Sequence, residues 1–365
     1  MSDKLITIAQ LPYMKAELLK TMLQDAGINS SLKNVNLLQG ATAMGVKVKV
    51  CEADVERAWT FVDAIMGKEE HADFEKENKV VVLVDFSDHA YKAAKSAFEI
   101  ADRLGAKLTF YHVINQLDFL TVPYSEVVSM NAEYFENMKM REEMANNQFA
   151  YFLQKLAEEI GMERWETVKN EVVVKIGYPE DDILDYIESN PPKLVVMGSK
   201  GPGENNDIVG STTAGVIYKA KVPVLVVPIQ AKAIDYNKQI RLLYTTNFDK
   251  KDLLSIAKLL DLSGEFERHI TCIHVGSEQS SALSKAKLAS LQKDLEAKYP
   301  DAGIECGIVQ GVDYLNTLED YINSHEVDLI SLTTHRRNIL TRLLNPSVAR
   351  QMVFHATTPL LVFHS

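Results

Sequence analysis

A glycine-rich stretch between residues 198 and 212, GSKGPGENNDIVGST, is the part of the sequence best suited to chemistry. It follows an apolar run typical of a buried strand and precedes a helical pattern that begins near Ser211. Glycines let a backbone approach a ligand closely, and the first N–H groups of a helix attract anions. Ser211 and Thr212 can add hydroxyl donors and Lys200 a positive charge, so the stretch favours phosphate binding.

The spacing of the glycines supports this interpretation. Gly198, Gly201 and Gly210 lie between a predicted strand and a predicted helix, which is where an open parallel sheet binds its ligands. The alternative is a flexible surface loop, because glycines near a turn are common.

The elements around this stretch predict a doubly wound α/β domain over residues 79–228. Continuously apolar strands alternate with helices, which is the pattern of a parallel sheet covered on both faces. Its strand candidates are KVVVLVDF, KLTFYHVI, EVVVKIG, KLVVMG and VPVLVVP. Residues 238–365 repeat the order with IRLLYTT, HITCIHV, IECGIVQ, VDLISLTT and TPLLVFH.

The two halves are related by an internal duplication. Phe86 and Phe248 are 162 residues apart, as are His112 and His274. The second copy is 27 residues shorter between its second and fourth strands, where the first copy carries a Met-rich segment, Val122–Met144. That segment is interpreted either as a partner-binding surface or as a helix lying over its own sheet.

Residues 79–228 resemble a universal stress protein domain of the nucleotide-binding type. The resemblance is carried by VDFSDHAYKA, YHVI, MGSKG, GST and VPVLVVP. It implies a Rossmann-like parallel sheet similar to that of the adenine nucleotide alpha hydrolases. It also implies ATP as the ligand, accompanied by Mg²⁺, with AMP or ADP as alternatives. Eight residues separate Gly201 from Gly210, one fewer than in the family pattern, and Glu204 and Asp207 make this segment acidic.

The resemblance also implies the site residues. Asp85 would face the adenine or the ribose, and Val113 would offer backbone contacts to the base. Met197 and Gly198 would close over the ribose and the α-phosphate. The remaining phosphates would be held by Gly201, Gly210, Ser211 and Thr212. The alternative role for Asp85 is an N-cap of the helix that opens at Ser87 or Asp88.

The second copy is predicted to have lost this site. Alignment places Thr333 and Arg336 opposite the first two glycines, Pro346 opposite the third and Asn247 opposite Asp85. A Cβ at these positions blocks close backbone approach. We expect this copy to be a structural partner that pairs with the first through the two last strands, because pairing removes exposed apolar edges.

Residues 4–66 resemble a small prokaryotic signal-transducing module, an α+β fold of the ferredoxin and PII type. The matching features are KLITIAQLPYMKAELLKTMLQDAGI and GVKVKVCEADVERAWTFV. The expected organisation is therefore a module at 1–70, a linker at 71–78 and two stress domains at 79–230 and 238–365.

Composition narrows the functional classes. The formal net charge of −11 argues against nucleic acid as a partner. No apolar run approaches the ~18 residues of a membrane span, and no signal peptide is apparent. The three cysteines are expected to be buried free thiols in the cytoplasm.

The sequence contains no P-loop, zinc-ligand spacing or nucleophile elbow. We therefore expect a nucleotide-binding stress-response regulator that is not an enzyme. A scaffold acting through protein contacts is the alternative, and a slow ATPase is the third hypothesis. An unidentified protein partner and homo-oligomerisation remain open.

Overall fold

The computed structural model describes residues 5–11, 13–34, 46–51, 54–55, 57–58, 61–62, 78–116, 131–200, 210–248, 252–264, 266–276, 282–311, 313–333 and 357–364. The chain divides into two compact units, Met1–Glu75 and Lys76–Ser365. Within the described ranges, no helix is long and apolar enough to cross a membrane.

The first unit is a small antiparallel α+β structure. Its elements are β1 (Leu5–Leu11), α1 (Tyr13–Asp25), β2 (Ser30–Asn34) and β3 (Val46–Cys51). The sheet order is β1-β3-β2, so β3 lies between the two strands that α1 connects, as in a split βαβ unit. Leu19 and Leu23 on α1 are buried against Val48 and Val50. The predicted second helix and linker fall mostly outside the described residues, and the PII resemblance stays a prediction.

The second unit contains both predicted halves. The first half comprises β4 (Lys79–Leu83), α2 (Asp88–Leu104), β5 (Lys107–Asn115), α3 (Asn131–Ile160), α4 (Met162–Trp165), β6 (Asn170–Gly177), α5 (Pro179–Ser189), β7 (Leu194–Gly198), α6 (Ser211–Lys219) and β8 (Val224–Val227). The second half comprises β9 (Ile240–Thr245), α7 (Asp252–Leu262), β10 (Arg268–Gly276), α8 (Ala282–Lys298), β11 (Ile304–Gln310), α9 (Tyr314–Ser324), β12 (Leu329–Thr333) and β13 (Leu360–Phe363), with a 3-10 turn at Pro300–Ala302.

The ten strands in the described part of this unit form one sheet in the order β11-β10-β9-β12-β13-β8-β7-β4-β5-β6. Strands within each half are parallel, and in each half the first strand lies between the second and the fourth. Successive strands are therefore added first on one side of β4 and then on its other side, and the same reversal of strand order occurs at β9. Such a switch point leaves a crevice at the carboxyl ends of the strands.

The halves meet at their last strands. β13 lies antiparallel to β8, with Leu361 opposite Leu225 and Val362 opposite Val224. Just beyond β13, the ring nitrogens of His364 lie 2.7 Å from the carbonyl oxygen of Ile217 and 2.9 Å from that of Val222. Each half thereby covers an apolar edge of the other.

The three cysteines are free thiols, but only Cys272 is buried, while Cys51 and Cys306 are half-buried. The expectation of three buried thiols was therefore wrong for two of them. Cys306 lies on the outermost strand β11, opposite Cys272 in the parallel register with β10. An outer strand has a neighbour on one side alone, which explains the partial exposure of Cys306.

Candidate functional site

A cavity of about 700 Å³ lies at the carboxyl ends of β4, β5 and β7. It occupies the switch point of the first half, where the α2 and α3 side of the sheet meets the α5 and α6 side. Its lining residues are Leu83, Val84, Asp85, Ala90, Tyr111, His112, Val113, Ile114, Asn115, Met140, Arg141, Met144, Ala145, Gln148, Pro179, Ile183, Met197, Gly198, Lys200, Gly210, Ser211, Thr212 and Thr213.

The structure brings seven of the eight predicted site residues to this cavity. They come from the ends of three strands and the start of one helix, and they are Asp85, Val113, Met197, Gly198, Gly210, Ser211 and Thr212. The eighth, Gly201, lies outside the described residues, as do Glu204 and Asp207.

Asp85 lies two residues beyond the end of β4 and does not cap α2. Its Oδ1 accepts hydrogen bonds from the backbone N–H of Ser87 at 3.0 Å and from the Ser87 hydroxyl at 2.5 Å. The Oγ of Ser87 in turn accepts from the backbone N–H of Ala90, which makes Ser87 the N-cap. The capping alternative for Asp85 was therefore wrong, and its carboxylate is held at the rim of the cavity by the capping residue.

Gly198 ends β7 at a point where α2 comes very close. A Cβ built on Gly198 would lie 2.7 Å from the Cβ of His89 and 2.9 Å from the His89 carbonyl carbon. Thr213 on α6 donates a hydrogen bond from its Oγ1 to the carbonyl oxygen of Gly198 at 3.1 Å. The end of β7, which has no side chain at Gly198, thus lies between α2 and the first turn of α6.

The start of α6 presents its first N–H groups to the cavity. Gly210 is the N-cap and has no side chain with which to bond them. Gly210 donates its own N–H to the carbonyl oxygen of Ser199 at 2.9 Å, which fixes the loop end against the strand. Ser211 is exposed and Thr212 half-buried, so their hydroxyls lie at the cavity surface. This arrangement suits an anion.

Val113 lies on a part of β5 that extends past its neighbour. The pairing of β5 with β4 ends at Leu83 and Tyr111, whereas its pairing with β6 continues to Asn115 and Gly177. Among the described strands, none therefore pairs with the β4 side of β5 beyond His112. Such an edge can hydrogen-bond the polar rim of a planar base.

His112 fixes the backbone at the floor of the cavity. Its Nδ1 donates to the carbonyl oxygen of Val84 at 2.7 Å, and its ring lies 4.7 Å from that of Phe86. Burial lowers the pKa of His112 below its usual value, with the Val84 hydrogen bond and the Asp85 charge opposing that shift. His112 is therefore a neutral hydrogen-bond donor near neutral pH.

The wall contributed by α3 was missed as part of the site. Met140, Arg141, Met144 and Gln148 line the cavity from this helix. Of the two interpretations of the Met-rich segment, a helix over its own sheet fits the described part, because Met138 packs against the cluster that contains Ile114 on β5. The available sequence signal was the helical spacing of these residues, which does not say what the helix faces.

The second half has a buried polar cluster at the equivalent strand ends. The Oη of Tyr244 on β9 donates to Asp252 Oδ1 at 3.0 Å and lies 2.7 Å from the Oγ1 of Thr333, which is the counterpart of Gly198. Thr333 also lies 2.7 Å from the Oγ of Ser255 on α7. In the second half, side chains therefore meet at the position that Gly198 occupies in the first half. Arg336 and Pro346 lie outside the described residues.

Over the described ranges, no group of three or more His, Cys, Asp or Glu side chains is arranged to hold a metal ion.

Comparison with known proteins gives consistent results. The profile of the Universal stress protein family matches residues 77–228 and 273–364, which is more than half of the chain. Universal stress protein MJ0531 of Methanocaldococcus jannaschii is 30% identical over 150 residues, covering 41% of this chain and 81% of the relative. Universal stress protein YxiE of Bacillus subtilis is 25% identical over 151 residues, covering 41% of this chain and 98% of the relative.

Among solved structures, a universal stress protein from Archaeoglobus fulgidus has a TM-score of 0.56 and 18% identity. The match covers 79% of this chain and 97% of that one, so the similarity in fold spans both halves.

Proposed function

Because this chain belongs to the universal stress protein family, we propose that it binds an adenine nucleotide in its first half and acts through that binding. ATP with Mg²⁺ is the proposed ligand, with ADP or AMP as alternatives. The observation that carries the proposal is the convergence of seven residues, which the family resemblance implied, on one cavity at the switch point of the sheet. Positions that lie more than a hundred residues apart in sequence would not be brought together by a surface loop alone.

The chemistry of the cavity suits the parts of a nucleotide. The Asp85 carboxylate is an acceptor for ribose hydroxyls, and the free edge of β5 at Val113 suits a base. Gly198 lines the cavity at the end of β7, next to the first turn of α6. The first turn of α6, with the hydroxyls of Ser211 and Thr212, supplies donors for phosphate oxygens. The eight-residue spacing before Gly210 is one residue shorter than the family pattern.

We propose a structural role for the second half. Its strand ends are closed by the Tyr244, Asp252 and Thr333 cluster, and its last strand covers β8 of the first half. A binding stoichiometry of one nucleotide per chain follows.

The proposal is tested by titration calorimetry of the nucleotide-stripped chain with ATP and Mg²⁺. We expect one site in the wild type, loss of binding in Asp85→Ala, and unchanged binding in Asn247→Ala, the matched substitution at the same position of the second half. Nucleotide released from the purified protein on denaturation identifies the natural ligand. Absence of both heat and released nucleotide would favour the scaffold hypothesis.

We also propose that the nucleotide is a regulatory ligand and not a substrate. Asp85 is the one carboxylate among the described lining residues, and it already accepts two hydrogen bonds from Ser87. Phosphate release from ATP should therefore stay close to the rate in an Asp85→Ala control. Turnover that depends on Asp85 would support the ATPase hypothesis.

A further inference from the structure

The α3 wall of the cavity consists of one face of that helix. Its lining residues, Met140, Arg141, Met144, Ala145 and Gln148, follow the spacing at which side chains share a helical face. Met140 and Met144 are each about half exposed, so their side chains lie at the open side of the cavity.

Aromatic contacts fix the position of this wall. The Phe149 ring packs edge-on against Phe86 at 4.8 Å, and the Phe152 ring against Tyr91 at 5.5 Å. Ala145 is buried against Ile114 on β5. These contacts join α3 to the end of β4, to α2 and to β5, so the face presented to the cavity is set by packing.

The direction of α3 places Arg141 at the outer end of the wall. The Phe149 ring lies 6.1 Å from that of His112, whereas Met138 packs against the cluster of Ile114 and Ala145, farther toward the end of β5. The helix therefore runs outward from the strand ends as its residue numbers fall. Arg141 lies about 10 Å farther out along the helix axis than Gln148, at about 1.5 Å per residue.

The charges that line the cavity suggest a role for Arg141. Among the described lining residues, Arg141 and Lys200 are the cationic side chains and Asp85 is the anionic one. The chain as a whole has a formal charge of −11, which repels a polyanionic ligand. A cation at the mouth of the cavity offsets this repulsion locally, and a guanidinium binds phosphate oxygens in a directed way.

We propose, resting on the nucleotide-binding function above, that Arg141 contacts the anionic part of the ligand and makes the site selective for phosphorylated ligands over adenosine. The wall is a feature of the first half: α3 has 30 residues, whereas α8, which follows the equivalent strand, has 17. The 27 residues by which the halves differ thus include the segment that brings Arg141 over the cavity.

Calorimetry with ATP and with adenosine tests this assignment on the full chain. Arg141→Gln should weaken ATP binding by about tenfold and change adenosine binding by less than about twofold, because a charge-assisted contact is lost and the base site is untouched. Arg141→Lys should retain most of the ATP affinity. Lys139→Gln is the matched control, since it removes the same charge from an exposed position on α3 that does not line the cavity.

The loss in Arg141→Gln should also shrink as salt concentration rises. Equal effects of Arg141→Gln and Lys139→Gln on ATP, or equal weakening of ATP and adenosine by Arg141→Gln, would overturn the assignment while leaving the proposed function intact. A wild-type chain that binds neither compound would overturn the proposed function, and the role of Arg141 with it.

Discussion

Gly198 and His89 are so close that the strand end at residue 198 has no room for a side chain. A Cβ on Gly198 would lie 2.7 Å from the Cβ of His89 and 2.9 Å from its carbonyl carbon, so either β7 or α2 would have to move. We expect Gly198→Ala to lower the free energy of unfolding by about 1–3 kcal/mol, the usual cost of overpacking. Urea denaturation followed by circular dichroism measures this change.

Gly307→Ala is the matched control for that substitution. Gly307 lies within β11, and no heavy atom of the residues that the structure describes lies within 4 Å of the position a Cβ would take. We expect this variant to unfold within about 0.5 kcal/mol of the wild type. Equal losses in the two variants would mean that the contact with His89 does not determine the need for glycine at position 198.

Asp85 and Ser87 have different roles at the start of α2: Ser87 caps the helix, and Asp85 is a proposed nucleotide-binding residue. Ser87→Ala removes the N-cap of α2 and should cost about 1 kcal/mol of stability. Asp85→Asn keeps an oxygen that can accept from the backbone N–H of Ser87, so it should cost less stability and yet weaken nucleotide binding. Urea denaturation and calorimetry on both variants separate the two effects. A larger loss of stability in Asp85→Asn than in Ser87→Ala would assign Asp85 a mainly structural role.

Protonation of His112 should make the folded protein less stable in acid. Burial holds the pKa of His112 in the folded chain below its usual value of 6.5, so the unfolded chain takes up the proton more readily. Its contribution to stability is complete above pH 6.5 and is lost as the pH falls toward the folded-state pKa. The slope for one such group is at most about 1.4 kcal/mol per pH unit.

His112→Asn is the variant that tests this effect. An asparagine amide can still donate to the carbonyl oxygen of Val84 but does not titrate. Urea denaturation between pH 5 and pH 8 should show a shallower acid slope in the variant. Some slope should remain, because burial also lowers the pKa of His364. Identical slopes in the two chains would show that His112 does not titrate in this range.

The fold of the second unit was predictable because its local signals agree. Each of the ten described strands matches an apolar run, and α2 begins after the capping Ser87 and is ended by the C-cap Gly105, which has φ of 54°. In the first unit, β2 was not predicted, because its sequence SSLKN has no alternation of apolar and polar residues. It is a strand because it pairs with β3, with Ser30 opposite Val50, and such tertiary pairing overrides weak propensity.

The sequence allowed prediction of those site residues whose type is set by their place in the backbone structure. Gly198 is recognisable because α2 approaches the position of its Cβ closely, and Gly210 and Ser211 because they mark the start of α6. Arg141 was not recognisable, since its place depends on how Phe149 packs against Phe86. No sequence signal indicates that Phe86 and Phe248 both have left-handed backbones, with φ of 62° and 65°. That conformation is rare for aromatic residues, and its recurrence shows how closely the two halves agree.

Thr333 allows a direct test of why the second half should not bind nucleotide. Its hydroxyl lies 2.7 Å from both Tyr244 Oη and Ser255 Oγ, inside a buried cluster. Thr333→Val removes that hydroxyl and should cost about 1–3 kcal/mol, because buried polar atoms lose a partner, whereas Thr333→Ser should cost less. Urea denaturation distinguishes the two.

Thr333→Gly goes further and restores the residue type found at Gly198. We expect no second nucleotide site in calorimetry, because Asp252 stays bonded to Tyr244 and to the backbone N–H of Asn247, and these contacts keep α7 against the end of β9. A stoichiometry of two nucleotides per chain would contradict this expectation. It would show that the missing glycine, and not the polar cluster, is what closes the second half to a ligand.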